Sequence, residues 1–160
     1  MTSLFMLLLA WASQGPPPPP PPDLTPHREL ALARRDQTQK LALQALSFTI
    51  RKPLRPGEKT PLGPPIKLSS AQRSELLRLL ADETTYSETP GVFGCAGREY
   101  ELTLDLPNRQ LMSWFCSRCE RLFSVVPEHG QPGFDAALSE HGSQLLRRFF
   151  ATVVRGGRAR

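Results

Sequence analysis

Long apolar runs are scarce in this sequence, and so are the spacings that announce chemistry. The longest uninterrupted apolar stretch, Leu4 to Ala12, reads LFMLLLAWA. It falls far short of the ~20 residues that a membrane-spanning helix needs, so no transmembrane anchor is expected. There are only three cysteines and three histidines. Zinc ribbons bring two C-x-x-C knuckles, and here there is one. Apolar residues make up 39% of the chain, low for a chain that is globular throughout. A compact domain of roughly 90 to 110 residues behind an extended N-terminal part fits that fraction.

Proline is the residue in excess, at 17. Pro16 to Pro22 is an unbroken run. Seven prolines form a polyproline II rod of about 3.1 Å per residue, a semi-rigid spacer. The same run could serve an aromatic-lined groove as a ligand. The apolar stretch before it matches the core of a secretory signal peptide, and Ala10-Trp11-Ala12 is an A-x-A cleavage site. Residues 1–12 are therefore expected to be a signal peptide, 13–25 a proline-rich tether, and the chain exported to the periplasm or beyond the cell. The segment Met1-Thr2-Ser3 lacks the basic residue usual in such a leader.

Charge argues against nucleic acid. The net charge of +5 is unevenly spread. Asp23 to Lys67 carries nine basic and four acidic residues, Leu68 to Thr152 eight and eleven, and the last eight residues add three arginines. The expected folded part is mildly acidic. Nucleic-acid binders concentrate basic charge on a folded face with aromatic neighbours. The partner expected is an unidentified protein.

His27 to Leu46 has helical composition, and Leu46 to Ile50 alternates as a short strand. Pro53 to Pro65 reads as a loop. Ser69 with Gln72 three residues on makes a capping box, so a helix is expected over about 70–82. Arg98 to Leu106 alternates cleanly, with Tyr100, Leu102, Leu104 and Leu106 on one face. Glu99, Glu101, Thr103 and Asp105 fall on the other, expected to face solvent. Pro107-Asn108 suits a tight turn. Paired residues then sum to 215, which sets Leu104 against Leu111 and Tyr100 against Phe115. Arg121 to Val126 is a third strand. Phe134 to Thr152 is expected to close the chain as a helix, broken near Gly142. Antiparallel strands in a meander with helices on one face make a two-layer α+β domain, placed at residues 26–152 and best defined from 66, with a basic disordered tail over 153–160.

The run Leu68-Ser69…Gln72…Leu76…Leu79-Leu80-Ala81-Asp82…Tyr86, followed by Cys95, a hairpin and Cys116-x-x-Cys119, resembles a set of small, often exported bacterial proteins with no assigned activity. Those proteins often carry Phe after the first cysteine of the pair, where this chain has Ser117. The resemblance implies one domain over about residues 68–150 and a bacterial source. It implies no reaction.

Cys95, Cys116 and Cys119 hold the only distinctive chemistry. An oxidising compartment favours a disulfide in so small a domain. The 215 register sets Cys119 opposite Ala96 and Cys116 opposite Glu99, which makes Cys119 the expected partner of Cys95. Three thiolates with His129 could instead ligate zinc, with His27 and His141 as further candidates. A redox pair is the third reading, with Arg118 and Arg121 as nearby cations, but no helix follows the C-x-x-C to lower a thiol pKa. Unpaired core thiols are the fourth. Ser113 and Ser124 lack a positioned histidine, and no catalytic or cofactor-binding residue is expected. The sequence thus describes a non-enzymatic binding module, or alternatively a protein working through its cysteines.

Overall fold

A computed structural model describes residues 25–52, 64–89, 98–124, 133 and 135–157. The expected signal peptide, most of the tether, Cys95 and His129 lie outside these residues. Among them are three α-helices and six strands. In chain order they are α1 (Thr25–Gln44), β1 (Ser47–Arg51), β2 (Ile66–Lys67), α2 (Ser70–Ala81), β3 (Tyr100–Leu106), β4 (Arg109–Cys116), β5 (Arg121–Ser124), β6 (Asp135–Ala137) and α3 (Glu140–Gly157). A single 3-10 turn, Glu83–Thr85, follows α2.

The strands form one open antiparallel sheet in the order β2-β1-β3-β4-β5-β6. The α+β class and the meander expected from the sequence hold. Every β3–β4 pair sums to 215, including Leu104 with Leu111 and Tyr100 with Phe115. The register follows from the two-residue turn at Pro107-Asn108, because a slip of one residue would turn the whole leucine face of β3 toward water.

That leucine face builds the core. Phe48, Ile50, Leu102, Leu104, Leu111, Phe115 and Leu122 project from the sheet into one cluster. All three helices enter the same cluster, α1 with Leu41 and Ala42, α2 with Leu76, Leu79 and Leu80, and α3 with Leu146, Phe149, Phe150, Val153 and Val154. Among the described residues, the opposite face of the sheet contributes nothing to it. Helix α2 starts where its cap dictates. Ser69 Oγ accepts from the Gln72 backbone N–H, and the Gln72 side chain accepts from the Ser69 N–H. At its far end the Asp82 carboxylate accepts from Thr84 twice, from side chain and backbone, which holds its pKa below the usual carboxylate value.

Three expectations fail, each for a tertiary reason. The stretch expected to open the last helix is in fact strand β6, which pairs through Leu122 with Ala136. Helix α3 starts at Glu140, and Gly142 lies inside it rather than breaking it. The expected tail is helical as far as Gly157, with Val153 and Val154 buried in the core. Short β2, hidden between prolines and α2, pairs with β1 through Ile50 and Ile66.

Candidate functional site

Strand alternation sorts β4 into two sets. Leu111, Ser113 and Phe115 face the helices, so Gln110, Met112, Trp114 and Cys116 face the other way. On that side, which carries no helix among the described residues, Trp114 stands between its cross-strand partners Glu101 and Phe123. Trp114 is only 7% exposed and Cys116 1%, yet neither belongs to the main core cluster. Burial therefore occurs on both faces of the sheet at this point.

The guanidinium of Arg98 lies 4.5 Å from the centroid of the Trp114 ring. Cation–π contacts of this kind contribute about 0.5–2 kcal/mol, more as water is excluded. The indole Nε1–H is buried and meets no acceptor among the described residues. An indole N–H in that position normally finds one. Met112, two residues back on the same face, is 44% exposed.

The three acids of this region were expected to line one solvated face. Instead they take three separate partners. Glu101 is 5% exposed, and its carboxylate lies 3.8 Å from Arg51 Nε, which makes no hydrogen bond among the described residues. The pair exists because register sets Arg51 directly across from Glu101. Asp105 accepts from Ser47 and from Gln110, and these bonds hold its pKa below the usual value. A depressed carboxylate stabilises the fold above its unfolded pKa, and the contribution fades as pH falls through the folded one. Glu99 accepts from Ser117 Oγ at 2.5 Å and faces Arg147 at 3.5 Å. No two of the three share a partner, so they offer no acid–base pair.

Strand β4 ends at Cys116, and the chain reverses through residues 117–120 into β5. The register count from the hairpin therefore carries as far as Cys116 and no further. The reversal depends on Glu120, whose φ of 48° lies in the left-handed region. Its carbonyl accepts from Leu138 N–H, which ties the turn to the end of β6. Ser143, in the first turn of α3, donates its hydroxyl to the Ser117 carbonyl at 3.3 Å. The turn brings Cys119 Sγ to 2.7 Å from Cys116 Sγ, with both side chains buried.

Among the described residues no group of three or more His, Cys, Asp and Glu could hold a metal ion. Cys95 and His129 lie outside those residues. His27 and His141 are exposed, on α1 and α3. Ser113 is sealed in the core at 0% exposure and pairs across the ladder with Ser124. Among the described residues, no helix is long and apolar enough to cross a membrane.

Sequence reasoning overlooked Trp114 and Arg98. The signal was present in the adjacent pair Trp114-Phe115, since neighbouring residues of a strand must point to opposite faces. Two large aromatics side by side imply apolar surroundings on both. Comparison with known proteins finds no matching family model, no matching curated protein and no matching solved structure.

Proposed function

We propose that the chain is an exported interaction module that binds a protein partner through the helix-free face of its sheet and carries out no reaction. One observation carries this reading: Trp114, buried outside the main core, holds an N–H without an acceptor beneath Arg98 and beside exposed Met112. Trp and Arg are the residues that most often dominate binding energy at protein interfaces. The leader-like stretch Leu4–Ala12 and the proline run after it support export on a tether. Kinship with small exported bacterial proteins belongs to the same reading.

A photoreactive residue at position 112 tests it in cells of the source organism. Position 74, exposed on α2, is the control. A discrete adduct is expected from 112 and none from 74, and Trp114→Leu should abolish it. No adduct at 112, or equal adducts at both positions, would refute the proposal.

A second reading, a protein acting through Cys95, Cys116 and Cys119 by thiol–disulfide or zinc chemistry, is favoured by the close approach of two of the sulfurs. Within the exported reading we place the bridge between Cys95 and Cys119. Closing a loop of about 25 residues stabilises a domain by roughly 3–4 kcal/mol. Non-reducing peptide mapping should return a Cys95–Cys119 peptide and an N-terminus at Ser13. A Cys116–Cys119 peptide would favour a redox role instead. Stoichiometric zinc with alkylatable cysteines would favour a metal site including His129.

A further inference from the structure

Helices α2 and α3 pack side by side on the sheet and leave a groove between them on their outer side. Its volume is about 200 Å³. Leu79 from α2 and Phe149 and Val153 from α3 form the floor, and all three are buried in the core. The floor is therefore rigid and apolar.

The rim is charged. Arg78 rises from the last turn of α2 and Arg148 from the middle of α3. Both are exposed, and among the described residues neither makes an ion pair or a hydrogen bond through its guanidinium. Glu75 adds a single carboxylate to the rim. Among the lining residues the balance is one net positive charge, with the Asp82 carboxylate outside the groove but within electrostatic reach of Arg78. On α1 and α3, Arg28, Arg34, Arg35 and Arg147 each pair with an acid.

We propose that this groove binds a small carboxylate with an apolar body, a short-chain or aryl carboxylic acid. Size limits the body: an apolar cavity of about 150 Å³ accepts a benzene ring, so this groove takes one ring with a two- or three-carbon arm. Charge selects the head group. Guanidinium forks match a carboxylate in geometry as well as sign, and the apolar floor adds affinity for a ligand that carries a hydrophobic part. The site lies on the helix layer, away from the face around Trp114, and its occupancy is independent of the partner proposed there.

The test is a titration of the ¹⁵N-labelled full chain with 3-phenylpropionate, followed by amide chemical shifts. 3-Phenylpropanol serves as a neutral control of the same shape. Saturable shifts are expected at Leu79, Leu145, Phe149 and Val153, with the alcohol at least about tenfold weaker, as loss of a charge-assisted contact implies. Arg78→Gln/Arg148→Gln should weaken the carboxylate by about tenfold or more and leave the spectrum unchanged elsewhere. Glu75→Gln should tighten it. The proposal is overturned if the shifts do not saturate, if the alcohol binds as well as the acid, or if the double variant binds like the parent.

Discussion

Gly142→Ala is expected to destabilise the domain by more than about 4 kcal/mol, enough to unfold many domains of this size. Helix propensity predicts the opposite sign, since alanine in a helix is favoured over glycine by about 1 kcal/mol. Space decides against it. A Cβ at position 142 would stand 2.2 Å from the Thr85 carbonyl oxygen, 2.5 Å from its Cα and 2.6 Å from its carbonyl carbon. These are backbone atoms, and they are held from several sides. Thr85 donates its hydroxyl to the Leu79 carbonyl at 2.7 Å, and its own carbonyl accepts from Ser139 N–H at 3.0 Å. The helix is held as well, because Ser139 Oγ accepts from Gly142 N–H at 2.9 Å. Neither partner can withdraw without breaking these bonds. Gly156, in the same helix, has nothing among the described residues within 4 Å of where a Cβ would stand. Gly156→Ala should therefore be neutral or stabilising by up to about 1 kcal/mol. Urea denaturation of the two variants gives opposite signs if contact rather than propensity governs position 142. A Gly142→Ala variant within about 1 kcal/mol of the parent would show that the helix and the 3-10 turn do not approach so closely.

The same glycine shows why part of the fold was hidden in the sequence. Gly142 in a helical window looks like an interruption, because propensity knows nothing of the backbone that α3 must pass. What could be read was local. The Ser69/Gln72 box set the start of α2, and Pro107-Asn108 set the turn that fixed the whole β3–β4 register. What could not be read depends on neighbours distant in the chain. Asp135-Ala136-Ala137 has no strand propensity. It is a strand because β5 offers it hydrogen bonds on one side and because Leu138, just after it, bridges to Tyr86. Ile66-Lys67 is extended for a similar reason, with β1 alone to pair with. The candidate site divides along the same line. Alternation assigned Glu101 and Asp105 correctly to one face of β3. It could not foresee that the face would be buried at Glu101 and Trp114 and open at Met112. Burial on that side depends on what lies over the sheet, and period-two patterning carries no information about it. The meeting of the two sulfurs was one of the readings the C-x-x-C left open, and it rests on the reversal at residues 117–120 and the left-handed Glu120.

Phe150→Ala is expected to cost about 3–5 kcal/mol, the range for a fully buried phenylalanine whose cavity cannot collapse. The side chain is 0% exposed and sits where α3 meets the middle of the sheet. Its ring centroid lies 5.2 Å from Phe115 on β4, 5.4 Å from Tyr100 on β3 and 5.7 Å from Phe149 on its own helix. These distances fall within the range of favourable tilted and edge-to-face aromatic pairs. Removing the ring therefore takes away both transfer energy and three aromatic contacts. The hole is bounded by two paired strands and by a helix whose far turn is anchored by Val153 and Val154, so its walls have little freedom to close. Phe150→Leu keeps most of the volume and should cost about 1–2 kcal/mol. Phe149→Ala should cost less than Phe150→Ala, because Phe149 floors the groove between α2 and α3 and water can enter the space it leaves. Met112→Ala, on the exposed part of the other face, should stay within about 0.5 kcal/mol of the parent. Denaturant midpoints are expected to be lowest for Phe150→Ala, higher for Phe149→Ala and Phe150→Leu, and nearest the parent for Met112→Ala. If Phe149→Ala proved as costly as Phe150→Ala, or Met112→Ala as costly as either, the core would not be centred where α3 crosses β3 and β4.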